Sequence, residues 1–126
     1  MNEKFGLNIA TIEKLRVLQN EGESDIVIEL MDAFFESIPQ RLMAMNDFLG
    51  KKKFAAIARE AHSIKSSALM LGAEKLGFLC GQMEDEFASE GKISNPEATV
   101  QRVQIEFDNA CKQLRAYRHR ACQKAS

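Results

Sequence analysis

One histidine, His62, has neighbours of the kind that nucleophilic chemistry needs. Its neutral imidazole carries a lone pair on one ring nitrogen at physiological pH, which suits reversible transfer of a phosphoryl group. Lys65 follows one helical turn later, so its ammonium group can stabilise negative charge on a group bound to the ring. The other histidine, His119, has no such neighbour, and we interpret it as part of a basic helix C-terminus.

An amphipathic helix over about residues 53–71 is expected to hold His62 on its solvent side. Apolar residues recur at steps of three and four and form one stripe at Phe54, Ile57, Ala61, Ile64, Ala68 and Leu71. At 100° per residue, His62 points roughly 140° away from the middle of this stripe. From this pattern alone, a solvated surface histidine is the simpler interpretation. Leu69 projects close to His62 on the same side, however, and adds a possible docking patch.

A longer pattern extends from Ala61 to Glu84. It consists of Ala61-His62-x-Ile64-Lys65, a small residue, Ser67-Ala68, Gly72 ten positions after the histidine, and then Leu76, Cys80, Met83 and Glu84. The pattern resembles the histidine-containing phosphotransfer (HPt) domains of two-component phosphorelays, because the histidine, lysine, glycine and glutamate fall at that family's spacing. The resemblance implies that His62 accepts the phosphoryl group and that Lys65 stabilises it. Glu84, where members carry glutamate or glutamine, would orient the imidazole.

The pattern departs from the family at Ser66, one turn after the histidine, where members usually have glycine. Glycine leaves room beside the imidazole for a partner, and serine adds a small hydroxymethyl group that would slow transfer or narrow the choice of partner. Ser66, Leu69 and Gly72 are the residues that we expect to contact a partner. Glu84 also lies at the edge of its own apolar stripe, so it can face the histidine helix.

Composition excludes several other classes of protein. The net charge of −1 argues against a general nucleic-acid binder, which would normally be basic. No apolar run could span a bilayer and the first residues are not a signal peptide, so a cytoplasmic location is expected. The three cysteines, Cys80, Cys111 and Cys122, form no Cys-x-x-Cys pair and are expected to be reduced thiols, with Cys80 a buried apolar side chain.

Helical periodicity continues along nearly the whole chain, and no alternating strand pattern interrupts it. A short first helix is expected after a cap at Asn8 or Thr11, with Ile12, Leu15 and Leu18 on its apolar side and Gly22 at its end. A long helix over about 24–49, capped by Ser24, should be kinked near residues 35 to 37 by Pro39, with two shorter helices as the alternative.

The remaining helices are expected at about 53–71, ended by Gly72, at 74–89, and at about 96–119 after the start signal Asn95-Pro96-Glu97. Their predicted inward residues are Leu76, Leu79, Cys80, Met83 and Phe87 in one helix and Val100, Val103, Phe107, Cys111 and Leu114 in the other. The predicted fold is all-α, an antiparallel up-down-up-down four-helix bundle with a short extra N-terminal helix. Residues 1–126 would form one domain, with 1–7 and 121–126 loose.

Together these features predict a phosphorelay intermediate that takes a phosphoryl group from a receiver-domain aspartyl phosphate onto His62 and passes it to another receiver. The sequence has no glycine-rich nucleotide loop and no paired-aspartate metal site, so it should neither bind ATP nor phosphorylate itself. Magnesium would belong to the partner. The expected partners are response-regulator receivers and a hybrid sensor histidine kinase, and the expected state is a monomer.

Two alternatives remain open. The first is a helical adaptor that is never phosphorylated and binds a signalling domain through His62 and Leu69. The second, a hydrolase using His62 with Glu84, lacks a nucleophile at a strained turn and is disfavoured.

Overall fold

The computed structural model describes residues 7–18 and 25–125, and in that part of the chain the regular elements are helices. They are α1 (Ile9–Val17), α2 (Ile26–Gly50), α3 (Phe54–Met70), α4 (Glu74–Glu90) and α5 (Pro96–Ala125). The one β contact there is an isolated antiparallel bridge between Leu7 and Ala73. The predicted all-α class is confirmed. None of the described helices is both long and apolar enough to cross a membrane.

Helices α2 to α5 pack as an antiparallel bundle. Each helix contacts the next one along the chain, and α5 closes the ring against α2. The most extensive contact joins α3 to α4, which are linked by a turn of only a few residues. The inward faces predicted for α3, α4 and α5 are buried, except that Phe54 and Phe87 are partly exposed. The bundle buries their apolar stripes and leaves the opposite faces of the same helices in water.

Helix α1 lies across one end of the bundle. The Asn8 amide donates a hydrogen bond to the carbonyl of Gly72 at 2.6 Å, and Leu7 pairs with Ala73 in the α3–α4 turn. At its other end Arg16 Nε donates to the Tyr117 hydroxyl of α5 at 3.1 Å. The predicted extra N-terminal helix is confirmed, and α1 forms a lid over this end of the bundle. Because Leu7 is buried, the loose segment expected at residues 1–7 is wrong at its last position.

Helix α1 begins directly after Asn8, which is one of the two residues predicted to cap it. The Asn8 side chain accepts from the amide of Ala10 at 3.1 Å, and Ile12 is fully buried. The prediction for Leu18 is wrong, because this residue is 78% exposed. Two steps of three residues rotate the side-chain direction by about 120° from Ile12, which carries Leu18 off the packed face. Gly22 lies outside the described residues.

Helix α2 runs through Pro39 without interruption, so one long helix is correct and the alternative of two shorter helices is wrong. The bend expected near residues 35 to 37 stays a prediction. Asp25 caps the helix, since its side chain accepts from the amides of Val27 and Ile28. The proposed cap Ser24 lies outside the described residues.

The ends of the later helices follow from local backbone chemistry. Gly91 ends α4 in the left-handed region with φ of 72°, where its amide donates to the Phe87 carbonyl at 2.8 Å. Helix α5 begins at Pro96 as predicted but continues to Ala125, beyond the end expected near residue 119. The backbone over residues 121–125 is therefore helical, because no glycine or proline follows Pro96 to stop the helix.

Candidate functional site

His62 lies near the middle of α3 on the face turned away from the bundle core, and its side chain is 62% exposed. The burial of Ala61 and Ile64 on either side fixes this orientation, because the apolar stripe of α3 can face only the core. The predicted solvent-facing position of His62 is therefore confirmed. A partner protein can reach this ring without any rearrangement of the bundle.

Glu84 on α4 holds the His62 ring. Its Oε2 lies 2.7 Å from His62 Nδ1, and the Glu84 side chain is only 23% exposed. Partial burial acts to raise the pKa of the Glu84 carboxyl, but hydrogen bonds from Lys65 and His62 outweigh it and the net pKa is lowered. Glu84 is therefore ionised at neutral pH, as the predicted orienting role requires.

The ionised carboxylate determines which imidazole tautomer forms. A carboxylate can only accept hydrogen bonds, so Nδ1 must carry the proton in the contact with Glu84. In the neutral ring the lone pair then resides on Nε2, the nitrogen that makes no contact with the carboxylate. The geometry of His62 and Glu84 thus prepares Nε2 as a nucleophile directed away from α4.

Lys65 completes this cluster from the next turn of α3. Its Nζ lies 2.7 Å from Oε1 of Glu84, so the two oxygens of one carboxylate serve the lysine and the histidine. The hydrogen bond to Glu84 raises the pKa of the Lys65 ammonium. The sequence predicted that Lys65 lies beside His62. It did not predict that the Lys65 ammonium pairs with the Glu84 carboxylate in the free protein.

Ser66 directs its hydroxyl back to its own helix. Its Oγ donates to the His62 carbonyl at 3.2 Å, and the residue is exposed beside the histidine. The methylene group of this side chain therefore occupies the space one turn after the ring, while the hydroxyl is already engaged with the backbone. This arrangement favours steric crowding over phosphate binding as the effect of Ser66.

Leu69 and Gly72, the other two residues expected to contact a partner, have different surroundings. Leu69 is 45% exposed and lies two turns after His62 on the same face. Gly72 is buried in the α3–α4 turn with φ of 77°, and a Cβ there would collide with the backbone of Asn8. The position favours a structural role for Gly72, since only glycine allows α1 to approach this turn so closely.

Sequence reasoning missed two glycines of α4 that face the histidine helix. A Cβ on Gly77 would lie 2.6 Å from Cδ2 of Leu69, and one on Gly81 would lie 3.5 Å from Cδ of Lys65. The available signal was the spacing of two glycines four residues apart inside an otherwise regular helix, where each costs about 0.5–1 kcal/mol relative to alanine. Gly77 and Gly81 lie on one face of the helix, and both lower its stability. This combination indicates that side chains of a neighbouring helix approach the α4 backbone closely at both positions.

A shallow groove of about 520 Å³ adjoins the ring on the other side of the carboxylate. It is lined by His62, Glu84, and the largely apolar set Ala55, Ala58, Arg59, Ser63, Phe87 and Ala88. The small side chains of Ala55, Ala58 and Ser63 on α3 leave this space open. The His62 ring is therefore accessible from the groove as well as from its solvent-exposed face.

The cysteines in the bundle do not contribute a nucleophile. Cys80 is fully buried, and burial raises the pKa of its thiol to about 12. Burial likewise raises the pKa of Cys111 to about 11. The predicted apolar character of Cys80 is confirmed, and both thiols are protonated at neutral pH. The side chain of Cys122 lies outside the described part of the chain.

His119 is exposed on α5, far along the chain from this cluster, and its neighbour Arg118 pairs with Asp32 of α2 at 2.9 Å. Arg115, one turn earlier, places its guanidinium 4.7 Å from the centre of the Phe35 ring. Arg115 and Arg118 thus contact α2, and the structure brings His62, Lys65 and Glu84 together without them.

Comparisons with known proteins identify the family of this chain. The family model described as Hpt domain matches residues 29–117. Histidine-containing phosphotransfer protein 2 of Arabidopsis thaliana is 30% identical over 100 residues, which cover 75% of this chain and 62% of that protein. The chain therefore spans less than two thirds of the length of this relative.

Two solved structures have similar folds. Histidine-containing phosphotransfer protein B of Pseudomonas aeruginosa superposes with a TM-score of 0.77 at 23% identity, covering 91% of this chain and 96% of that one. A histidine-containing phosphotransfer protein of Medicago truncatula also superposes with a TM-score of 0.77, at 25% identity, covering 99% and 84%. The match of the family model to most of the chain, around an exposed and oriented histidine, shows that this protein belongs to the Hpt domain family.

Proposed function

We propose that this protein is a phosphorelay intermediate that carries a phosphoryl group on Nε2 of His62. The observation that carries the proposal is the 2.7 Å contact between His62 Nδ1 and the ionised Glu84, on a ring that is 62% exposed. This contact leaves the nucleophilic lone pair on the accessible nitrogen. Membership of the Hpt domain family supports the same reaction.

In the proposed reaction, the Nε2 lone pair attacks the phosphorus of an aspartyl phosphate on a receiver domain. A nitrogen–phosphorus bond forms while the bond from phosphorus to the aspartyl oxygen breaks, and the aspartate leaves as a carboxylate. The Nδ1 proton stays in the hydrogen bond to Glu84, whose negative charge balances the positive charge of the phosphorylated ring. Reversal of these steps on a second receiver releases the group.

Lys65 has two parts in this proposal. In the free protein its ammonium neutralises Glu84 and fixes the carboxylate beside the ring. When a receiver excludes water from the site, the same charge lies one helical turn from the transferring group and stabilises its oxygens. The magnesium ion is expected on the receiver, and the protein itself is expected to need no ATP or other cofactor.

The proposed partners are response-regulator receivers and a hybrid sensor histidine kinase, encountered by a cytoplasmic monomer. An adaptor that binds such domains without being phosphorylated is the second candidate. Ser66 beside the ring and the exposed side chain of Leu69 are the observations that favour it. The two candidates differ in one measurable property, which is covalent phosphate on His62.

The test uses receiver domains from the same genome, phosphorylated with acetyl phosphate and mixed with the purified protein. We expect acid-labile, alkali-stable label on wild type and on His119→Gln, and none on His62→Gln. Because His62 is exposed, its replacement should leave helicity and the melting temperature near those of wild type. Label that persists in His62→Gln contradicts the proposal, and a receiver complex without any label establishes the adaptor.

A further inference from the structure

The exposed seam between α3 and α4 has a regular register. His62 contacts Glu84, the stem of Lys65 passes over Gly81, and Leu69 lies over Gly77. Each step of three or four residues forward on α3 is matched by the same step backward on α4, as antiparallel helices require. The seam therefore continues from the His62 ring to Leu69. Its last contact joins the large apolar side chain of Leu69 to Gly77, which has no side chain.

The contact between Leu69 and Gly77 leaves no room for a Cβ at position 77 unless Leu69 moves. A Cβ there would lie 2.6 Å from Cδ2 and 2.8 Å from Cγ of Leu69, well inside van der Waals contact. Gly77 itself is buried within a regular helix, where it does not adopt a positive φ. Its backbone conformation thus gives no reason for glycine, and the space that Leu69 occupies does.

We infer that Gly77 is a specificity-determining residue, because its missing side chain lets Leu69 lie flat against α4 and so sets the height of the surface beside His62. The inference rests on the proposed function. His62 and Leu69 project from the same face about 10.5 Å apart along the helix, so one receiver must contact both as it brings its phosphoryl group to Nε2. A Leu69 side chain lifted by one methyl group would hold the receiver away from the ring.

The chain offers a graded set of glycine substitutions to test this. Gly77→Ala forces Leu69 outward, because the atoms nearest to the added Cβ are Cδ2, Cγ and Cδ1 of that flexible side chain. Gly81→Ala adds the same methyl group one turn later on the same helix, at an ordinary 3.5 Å from Lys65 Cδ. Gly50→Ala, at the end of α2, meets no atom within 4 Å and controls for the change of residue type.

We expect Gly77→Ala to slow single-turnover transfer from an acetyl-phosphate-charged receiver about tenfold, less than the roughly hundredfold loss that a misplacement of about 1 Å can cause. Gly81→Ala should stay within about twofold of wild type and Gly50→Ala should equal it, since neither displaces Leu69. The double variant Gly77→Ala/Leu69→Ala should transfer at the rate of Leu69→Ala alone, because the added methyl group then has no Leu69 side chain to displace. The melting temperature of Gly77→Ala should stay near that of wild type, because the higher helix propensity of alanine offsets the displacement of Leu69.

Two further measurements separate the surface from the chemistry. Phosphoramidate, a small phosphodonor that needs no docking surface, should label His62 equally in wild type and Gly77→Ala. Methyl NMR should show contacts from the Leu69 δ-methyls to the Gly77 α-protons in wild type, and these methyls should shift in Gly77→Ala.

The outcomes distinguish this inference from the proposed function on which it rests. Equal receiver transfer by wild type and Gly77→Ala would overturn the inference while leaving phosphotransfer intact. Equal losses in Gly77→Ala and Gly81→Ala, or a double variant clearly slower than Leu69→Ala alone, would also overturn it, because Leu69 would not be the cause. No transfer to wild type from any receiver would reject the proposed function and the inference together.

Discussion

Asp25 at the lid end and Glu84 beside His62 are both partly buried carboxylates that pair with a cation. Partial burial opposes ionisation of each, yet hydrogen bonds from the neighbouring cation leave each with a lowered pKa. The two ion pairs have nearly equal lengths, 3.0 Å from Asp25 to Arg16 and 2.7 Å from Glu84 to Lys65. A perturbed pKa therefore does not distinguish the two regions.

The difference lies in what the remaining polar atoms do. At the lid, Asp25 caps α2 through the amides of Val27 and Ile28, and Arg16 also donates to the Tyr117 hydroxyl, which donates in turn to Glu13. These bonds connect α1, α2 and α5, so the cluster joins elements of the fold. Its polar groups are directed at each other.

At the other cluster, Glu84 and Lys65 direct their charges at each other and at one nitrogen of His62. The second ring nitrogen is the proposed phosphoryl acceptor, on an exposed side chain. The comparison teaches that a carboxylate–cation pair indicates a functional site when the carboxylate also orients a group with an accessible lone pair. Substitutions at the lid should therefore change stability, and substitutions beside His62 should change transfer.

The largest expected effect comes from Glu84→Ala. Without the carboxylate, nothing holds the proton on Nδ1, and we expect transfer from a receiver to slow by about tenfold to a hundredfold, the range seen for residues that orient histidine ligands. Nitrogen-15 NMR of the ring should show a shift toward the tautomer with the proton on Nε2. Glu84→Gln is the matched control, because an amide oxygen still accepts from Nδ1 and should retain more of the rate. An unchanged tautomer in Glu84→Ala would remove this residue from its orienting role.

A smaller loss is expected from Lys65→Met, which keeps the apolar stem over Gly81 and removes the charge. Transfer should slow about fivefold, in line with the modest value of one exposed charged contact. Lys65→Arg keeps the charge and should recover part of the rate. Single-turnover kinetics with a charged receiver measure both variants. A rate for Lys65→Met equal to that of wild type would show that Glu84 needs no cation to hold the ring.

Asp25→Asn tests the lid in the opposite way. Asparagine can still cap α2 but cannot form the ion pair with Arg16, so the free energy of unfolding should fall by less than about 1 kcal/mol at neutral pH. Transfer should be unaffected.

The pH dependence of this loss has a definite sign. The folded pKa of Asp25 is lowered, so its stabilising contribution is present above the unfolded pKa, near 3.8, and is lost as pH falls through the folded value. The difference between wild type and Asp25→Asn in urea melts should therefore disappear in acid. A difference that persists at the lowest pH would indicate packing as its origin.

Most of the fold was predictable because helix faces are encoded locally. The stripe around Ala61 and Ile64 predicts which side of α3 is buried, and the direction of His62 follows from it. The prediction for Leu18 failed because residues spaced by three are not quite one turn apart, so their side chains point in gradually changing directions. Which of these directions is buried depends on how α1 lies on the bundle. Local periodicity contains no information about the position of α1.

The site was predictable to a lesser extent. Spacing placed His62 and Lys65 one turn apart, and the family pattern singled out Glu84, but only the packing of α3 on α4 shows that one carboxylate binds both. The fit of Leu69 over Gly77 was missed for the same reason. Contacts between helices depend on register and interaxial distance, which no single helix encodes.

The smallest expected effect concerns Ser66, where the seam departs from the glycine usual in the family. Its hydroxyl already donates to the His62 carbonyl, so we expect the side chain to crowd the ring rather than to hold phosphate. Ser66→Gly should therefore speed transfer about twofold to threefold. The same change should lower the free energy of unfolding by about 0.5 kcal/mol, because glycine is the poorer helix former. Activity and stability would move in opposite directions, as expected for a residue beside the proposed phosphoryl acceptor and unlike any residue of the lid. Single-turnover rates and urea melts on Ser66→Gly measure the two quantities, with Ser66→Ala as the control that removes the hydroxyl but keeps the methylene carbon. If both variants transfer more slowly than wild type, the hydroxyl assists the reaction and crowding is excluded.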